Sequence, residues 1–130
     1  AQFRHGQRAL ALIQTIPDSS SVAATTGLIP HLANREVLIR FPYHDRYQNQ
    51  DGQPVPVEWV AADLHNQRLF QTFRKQRKGL KRNLRQLNEL SEQGYGVVAF
   101  DDDVVLLQQQ AQTDAVAQQA FKAFSESINF

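Results

Sequence analysis

A strand–turn–helix–strand unit between Ser20 and Pro42 is the feature that most constrains the fold of this chain. Residues 22–24 and 37–41 are short apolar runs typical of strands, and residues 27–34 are predicted as a short helix between them. Consecutive strands that are joined by a helical crossover favour parallel pairing, because a tight hairpin can join only antiparallel strands. The unit therefore indicates an α/β fold.

The rest of the chain extends this unit into a single domain, residues 1–130. We expect a three-layer α/β/α fold around a mixed, partly parallel five-stranded sheet that ends in a β-hairpin. The predicted strands are residues 22–24, 37–41, 57–62, 95–100 and 104–108, and residues 43–56 are expected to form a polar loop. Helices are predicted over residues 3–15 and 67–93, and a closing helix begins near Asp114 and buries Val116, Ala117, Ala120, Phe121 and Phe124.

Length and composition exclude several classes of protein. With 130 residues, of which 42% are hydrophobic, the chain has the composition of one globular domain. The absence of cysteine excludes disulfides, thiolate nucleophiles and cysteine zinc sites. No apolar run approaches the roughly 20 residues that span a bilayer, so we expect this stretch of chain to be soluble. The net charge of +1 gives no general reason to expect a nucleic-acid partner.

The long predicted helix has one apolar and one basic face. Its apolar positions recur at helical spacing and are expected in the core: Phe70, Phe73, Leu80, Leu84 and Leu87. Gly79 in its interior is expected to weaken the helix by roughly 1 kcal/mol relative to alanine. The candidates for contact with a membrane surface lie on the other face, and they are Arg74, Lys75, Lys78, Lys81, Arg82 and Arg85.

This basic face has an ordinary alternative, which is a solvated surface. No acidic residue interrupts the sequence between Asp63 and Glu89, however, so the cations repel one another. That pattern favours an anionic partner more than a face of mixed charge does, and a membrane surface is such a partner. RNA binding would need exposed aromatic side chains for stacking, and Phe70 and Phe73 are expected in the core.

A second candidate site surrounds the predicted helix of residues 27–34. Thr25 or Thr26 is expected to cap it, and His31 and Arg35, spaced by four residues, are expected to share one face. Free N–H groups and the helix dipole favour an anion such as phosphate at a helix N-terminus. The commoner alternative is a capped helix without a ligand. Asp63, at the end of a strand, is either a further site residue or, more commonly, a turn or cap residue.

Catalytic and metal motifs are not found. His31, His44 and His65 with Asp63 lack the spacing of known zinc motifs. The run of three aspartates from Asp101 lacks the ligand alternation of an EF-hand and is expected to be a hairpin turn. Residues 19–21, a run of serines, lack the small-residue elbow around a nucleophile. We therefore predict no catalytic residue, no metal and no cofactor.

The succession of motifs resembles a bacterial family of predicted multi-spanning membrane proteins, domain of unknown function 2079. The residues that carry the resemblance, in order, are Ile16-Pro17, Val22, Pro30-His31-Leu32, Arg35 and Phe41-Pro42. The strand Trp59-Val-Ala-Ala-Asp63-Leu64 and the closing hairpin, from Gly94 to Leu107, also look like elements of this family. Members often carry asparagine where this chain has Thr26, which argues against any role that requires an amide there, although threonine can still cap the helix.

The resemblance implies a C-terminal extramembrane domain of a larger membrane protein. The membrane part of the family is similar to lipid-linked-sugar glycosyltransferases, whose catalytic acid lies between transmembrane helices. This chain is therefore expected to be a non-catalytic accessory domain at the extracytoplasmic side of the membrane. Its expected partners are the membrane surface and a lipid-linked sugar phosphate, with no nucleic acid. The alternatives are a structural or protein-interaction domain without a ligand and a free-standing small enzyme, the latter without support from the sequence.

Overall fold

The computed structural model describes residues 2–128 of the chain. Its α-helices are α1 (Gln2–Ile13), α2 (His65–Leu69), α3 (Arg74–Glu92) and α4 (Ala115–Ser127). Its strands are β1 (Val22–Ala24), β2 (Leu38–Arg40), β3 (Arg46–Gln48), β4 (Pro54–Pro56), β5 (Trp59–Asp63), β6 (Tyr95–Asp101) and β7 (Val104–Gln109). A 3₁₀ helix, Thr26–Leu32, connects β1 to β2.

The five-stranded sheet has the order β2-β1-β5-β7-β6. Strands β2, β1 and β5 are parallel, with Ala23 opposite Ile39 on one side and Val60 on the other. Strand β7 is antiparallel to both β5 and β6. The predicted mixed sheet with a terminal hairpin is therefore confirmed.

Helices cover both faces of the sheet, as the three-layer prediction requires. Side chains alternate along β5, so that Val60 and Ala62 point to one core and Trp59 and Ala61 to the other. On the Val60 side, α3 and α4 contribute the buried residues Leu80, Leu84, Leu87, Phe121 and Phe124. On the Trp59 side, α1 and the 3₁₀ helix contribute Ala9, Ile13, Leu28 and Leu32. Because both faces are covered, β1 and β5 consist almost entirely of apolar residues.

One predicted loop and one predicted core residue are wrong. The predicted loop of residues 43–56 contains a two-stranded antiparallel ribbon, β3 and β4, in which Tyr47 pairs with Val55. Val116, predicted in the core, is 79% exposed. In α4, Ala117, Phe121 and Phe124 form the buried stripe, and Val116 lies about 100° from Ala117 around the helix axis.

The predicted helix of residues 67–93 is in fact two helices. α2 ends at Leu69 and α3 begins at Arg74, and the chain turns between them. This turn moves Phe70 and Phe73 off the apolar stripe of α3, and their side chains are 47% and 64% exposed. The expectation that both belong to the core is therefore wrong, because their spacing continues the stripe only if the helix is uninterrupted.

Two turns match their expected chemistry. Asp102 and Asp103, with φ values of 49° and 70°, form the two-residue turn between β6 and β7. Two consecutive positive φ values are typical of the type I′ hairpin turn, which aspartate tolerates. Gly94, with φ of 99°, follows the end of α3 as the predicted stop.

The exposure of Phe73 can be tested by comparison with Leu87, which is 1% exposed on α3. Leu87→Ala is expected to lower the free energy of unfolding by about 2–5 kcal/mol, because it leaves a cavity in the core. Phe73→Ala is expected to change it by no more than about 0.5 kcal/mol, as for an ordinary surface substitution. Chemical denaturation of both variants measures the difference. A loss of stability in Phe73→Ala comparable to that in Leu87→Ala would contradict the two-helix arrangement.

Candidate functional site

The carboxyl ends of the parallel strands meet where the chain changes direction. The connection after β1 covers one face of the sheet, where Leu28 and Leu32 pack. The connection after β5 leads to α3 on the opposite face, where Leu80 and Leu84 pack. Because these neighbouring connections leave the sheet in opposite directions, a crevice opens beyond the ends of β1 and β5. Such a switch point is the usual ligand site of open α/β sheets.

A polar cavity of about 220 Å³ occupies this crevice. Part of its wall comes from the residues that follow β1 and β2 and from the last residue of β5: Thr25, Thr26, Gly27, Phe41, Pro42, Tyr43 and Asp63. The two helices after β5 add Asn66, Gln67, Arg82 and Asn83. A carboxylate, three amides, two hydroxyl groups of threonine and a guanidinium therefore surround a space large enough for a small ligand.

Asn83 contributes a buried amide to this wall. The residue is 3% exposed, and its Nδ2 donates a hydrogen bond to Oε1 of Gln67 at 3.0 Å. Its Oδ1 is buried and has no hydrogen-bond partner among residues 2–128. An unsatisfied buried acceptor costs about 1–3 kcal/mol, so such an atom in a folded protein calls for a partner from outside the chain. Since Asn83 lines the cavity, a water molecule or a ligand donor there is the candidate partner of Oδ1.

Gly79 allows Gln67 to reach Asn83. A Cβ atom at residue 79 would lie 2.7 Å from Nε2 of Gln67, so the end of that side chain would have to move. The missing side chain therefore makes room for Gln67 between α2 and α3. Gly79 lowers the helix propensity of α3, but it also leaves space for the Gln67 amide in the cavity wall.

Arg82 supplies the cation of the cavity. Its guanidinium carbon lies 5.4 Å from the centre of the Tyr43 ring, which is the geometry of a cation–π contact. This contact restrains an exposed side chain at the rim of the cavity. A residue that the sequence assigns to the membrane-facing surface of the helix thus also belongs to the cavity.

Three of the five residues predicted to bind an anion line the cavity: Thr25, Thr26 and Asp63. Thr25 stands at the N-cap position of the 3₁₀ helix, but its side chain makes no capping hydrogen bond. Its hydroxyl oxygen instead accepts a hydrogen bond from the backbone N–H of Asp63 at 3.0 Å. The predicted side-chain cap is therefore wrong for Thr25, and this hydroxyl joins the ends of β1 and β5.

The other two predicted residues, His31 and Arg35, do not line the cavity. The helix that was expected to carry both is a 3₁₀ helix that ends at Leu32, before Arg35. The guanidinium of Arg35 donates to the backbone carbonyls of Ile16, at 2.9 Å, and Pro17. His31 is exposed to solvent. The expectation of a shared helix face is wrong because the helix is too short to include Arg35.

A cluster of charged side chains lies beside the cavity and shares Asp63 with it. This His5 cluster consists of His5, Arg8, Asp63, His65, Arg68, Asp101, Asp102 and Asp103. His5 on α1 is buried, with Nδ1 2.7 Å from Oδ2 of Asp102 and Nε2 2.9 Å from Oδ2 of Asp63. Ionised carboxylate oxygens only accept hydrogen bonds, so this geometry favours the imidazolium form of His5, which donates from both ring nitrogens.

The second histidine of the cluster packs on the first. The rings of His5 and His65 are stacked with their centres 4.0 Å apart. Nδ1 of His65 lies 2.9 Å from Oδ2 of Asp103, and Nε of Arg68 donates to the same oxygen at 2.6 Å. These contacts join α1, α2, the end of β5 and the hairpin turn at one point.

Hydrogen bonding and charge shift two pKa values in the cluster. Burial by itself lowers the pKa of His5, but the hydrogen bonds and charges of Asp63 and Asp102 outweigh it and raise that pKa above 6.5. The hydrogen bond from His5 lowers the pKa of Asp102 below its ordinary value. Each partner therefore favours the charged form of the other.

The cluster also contains one group of potential metal ligands. Donor atoms of His5, His65 and Asp102 lie within 4.8 Å of one another. However, both nitrogens of His5 already face carboxylates. The rings of His5 and His65 are also stacked, so their in-plane lone pairs run side by side and do not converge on a shared metal position. The arrangement fits an ion-pair cluster better than a metal centre. His31 and His44, which the sequence offers with His65 as candidate ligands, belong to no such group among residues 2–128.

Sequence reasoning missed His5, although the sequence contains a signal for it. His5, Ala9 and Ile13 are spaced by four residues and share the buried face of α1. A buried imidazole needs a hydrogen-bonding partner, and the aspartates of the hairpin turn carry the best acceptors. The pairing itself spans 97 residues between His5 and Asp102, which no local pattern can identify.

Comparison with known proteins gives one match. The family model described as a predicted membrane protein (DUF2079) matches residues 1–106, which include every residue of the cavity and of the His5 cluster. A search of curated proteins and a search of solved structures each found no match. Within residues 2–128, no helix combines the length and the hydropathy that crossing a bilayer requires.

The His5 cluster is expected to make stability depend on pH. Because folding raises the pKa of His5 above 6.5, its stabilisation is complete below pH 6.5 and is lost as the pH rises through the folded-state value. Because folding lowers the pKa of Asp102 below 3.8, its stabilisation is complete above pH 3.8 and is lost as the pH falls through the folded-state value. Urea denaturation across the pH range should therefore show the largest contribution of the cluster between these two values.

The matched variants are His5→Gln and His31→Gln, the latter at an exposed position. His5→Gln is expected to lower the free energy of unfolding by about 1–3 kcal/mol near pH 6. In the wild type the free energy of unfolding falls as the pH rises above this value, and the variant is expected to lose most of that decrease. His31→Gln is expected to retain that fall. An unchanged pH profile in His5→Gln would contradict the imidazolium assignment.

Glycine replacements in two helices test how Gln67 is positioned. Gly6→Ala in α1 is expected to stabilise the protein by up to about 1 kcal/mol, since a Cβ there meets no atom within 4 Å. Gly79→Ala is expected to gain less or to destabilise, because the new Cβ displaces Gln67 and breaks its hydrogen bond with Asn83. Thermal denaturation compares the two variants. Equal stabilisation by both would show that Gln67 is not held in this position.

Proposed function

Because the chain belongs to DUF2079, a family of predicted membrane proteins, we propose that it is an extramembrane accessory domain that binds a phosphorylated sugar. In this proposal the sugar phosphate is the headgroup of a lipid carrier, and a glycosyltransferase-like membrane part of the protein performs the chemistry. The extracytoplasmic side is proposed by analogy with lipid-linked-sugar glycosyltransferases alone. The observation that carries the proposal is the polar cavity at the switch point, with the unpartnered Oδ1 of Asn83 in its wall.

The groups around the cavity match the groups of a sugar phosphate. A sugar hydroxyl donates hydrogen bonds, and Oδ1 of Asn83 and the carboxylate of Asp63 accept them. A phosphate accepts hydrogen bonds and carries negative charge, and the guanidinium of Arg82 supplies donors and positive charge. The exposed ring of Tyr43 provides an apolar surface for the C–H face of a sugar ring.

The same groups argue against other small ligands. A simple anion such as inorganic phosphate uses Arg82 but has no apolar face to pack on Tyr43. A purely apolar ligand leaves Asn83 unsatisfied and removes water from a carboxylate. A ligand that carries hydroxyl groups together with one anionic group offers a partner to each of Asn83, Asp63 and Arg82.

Titration of the 130-residue chain with glucose 1-phosphate tests the proposal, with glucose and inorganic phosphate as comparison ligands. Amide chemical shifts in NMR spectra are expected to move at Thr25, Thr26, Asp63 and Asn83. Arg82→Gln is expected to weaken glucose 1-phosphate binding by roughly 10-fold or more, because it removes a charge-assisted hydrogen bond.

The matched control is Arg85→Gln, which replaces an exposed arginine of α3 that does not line the cavity. Arg85→Gln is expected to leave the affinity for glucose 1-phosphate unchanged. If no ligand shifts these amides, or if both variants weaken binding equally, the cavity is not a sugar-phosphate site. The domain would then be a structural or protein-interaction domain without a ligand of its own.

A further inference from the structure

We propose that Leu69, Phe70 and Phe73 form a membrane-inserting tip, and that the basic face of α3 lies on the anionic headgroups around it. The three apolar side chains sit together at the connection between α2 and α3. Their exposed fractions are 46%, 47% and 64%. The phenyl rings of Phe70 and Phe73 also contact each other, with centres 6.4 Å apart. An exposed group of large apolar side chains in a folded protein commonly marks an interaction site.

Cations follow this tip along α3. Arg74, Lys75 and Lys78 lie in the first turns of the helix and are exposed. Arg68, which precedes the tip on α2, is instead ion-paired with Asp103. No acidic residue occurs in the sequence between Asp63 and Glu89, so the part of α3 next to the tip carries no acidic side chain. Apolar side chains beside such a basic face complement an anionic bilayer, which offers a hydrocarbon interior behind a layer of negative headgroups.

The composition and geometry of the tip favour a bilayer over RNA. Leu69 has no π-face for stacking on a base, and the rings of Phe70 and Phe73 are tilted by 45° to each other. Stacked recognition of successive bases needs open aromatic faces, whereas insertion among acyl chains needs only apolar area. Membership of a family of predicted membrane proteins also places a bilayer close to the domain.

The basic face connects the tip to the polar cavity. A second cavity on α3, of about 460 Å³, is lined by Tyr43, Gln67, Lys75, Gln76, Lys78, Gly79 and Arg82. Tyr43, Gln67 and Arg82 also line the polar cavity, so the two spaces adjoin. Arg82 lies nine residues beyond Phe73, roughly 13 Å along the helix axis. A domain with α3 flat on the bilayer therefore holds the polar cavity at the level of the headgroups.

This last step rests on the proposed function, because it gives a lipid-linked sugar phosphate a path along Lys75 and Lys78 into the polar cavity. The contact between the tip and the bilayer does not rest on it. Vesicles that contain no sugar phosphate therefore test the surface alone, and titration with soluble glucose 1-phosphate tests the cavity alone.

Vesicle flotation of the 130-residue chain is the direct experiment. The wild-type chain is expected to float with phosphatidylcholine vesicles that contain phosphatidylserine at low salt, and to float less at high salt or without phosphatidylserine. Phe70→Ser/Phe73→Ser is expected to reduce binding by roughly 10-fold or more, because the tip supplies the apolar contact. Phe3→Ser is the matched control, since Phe3 is 78% exposed on α1, and it is expected to leave binding unchanged.

Charge variants separate the contribution of the basic face. Lys75→Gln/Lys78→Gln is expected to weaken binding by roughly fivefold for each cation removed. Lys122→Gln, at an exposed position of α4, is expected to have no effect. Circular dichroism spectra that match the wild type show that each variant is folded.

Four results would overturn the proposal. One is the absence of flotation with anionic vesicles at low salt. Another is full flotation of Phe70→Ser/Phe73→Ser, and a third is an equal loss in Phe3→Ser. The fourth is binding of a single-stranded RNA under conditions in which anionic vesicles are ignored, which would assign the same surface to nucleic acid.

Discussion

Strand β5 is the element on which the rest of the structure depends, because it joins the parallel and antiparallel halves of the sheet. It pairs in parallel with β1 on one edge and antiparallel with β7 on the other. Its side chains enter both cores, so α1 and the 3₁₀ helix pack on one side of it and α3 and α4 on the other. A strand in this position must be apolar on both faces, and residues 59–62 are.

The end of β5 converts this apolar strand into a polar junction. The backbone N–H of Asp63 binds the Thr25 hydroxyl, and its carboxylate faces His5. Oδ1 of Asp63 also accepts a hydrogen bond from the backbone N–H of His65, so the turn into α2 is held by the same side chain. The sequence leaves open whether Asp63 is a turn residue or a site residue. In the structure Asp63 closes the turn and also lines the cavity, because the turn lies at the switch point of the sheet.

The two candidate sites and the basic face of α3 are physically connected. The His5 cluster and the polar cavity share Asp63, and the polar cavity and the basic face of α3 share Arg82. Substitutions at these two residues therefore affect more than one property of the domain. The placement of Arg82 also reconciles two interpretations that are separate in the sequence, an anion site near Thr25 and a basic surface on the long helix. The fold brings one end of that surface to the mouth of the cavity.

The sequence by itself determined the sheet, the hairpin and the two-sided core, because each depends on local periodicity and on turn chemistry. Strand β1 has the predicted bounds, and Gly94 ends α3 as its position predicts. The sequence also predicted the basic character of α3, since charge is a property of composition.

Only the tertiary structure decided which side chains meet. The contacts of His5 with Asp102 and of Thr25 with Asp63 cross 97 and 38 residues, so no local pattern contains them. The break between α2 and α3 is also a tertiary effect, because the helical spacing of Phe70 and Phe73 continues across it. Packing of Gln67 against Gly79 and Asn83 holds α2 beside α3, and this arrangement exposes the two phenylalanines that periodicity assigns to the core.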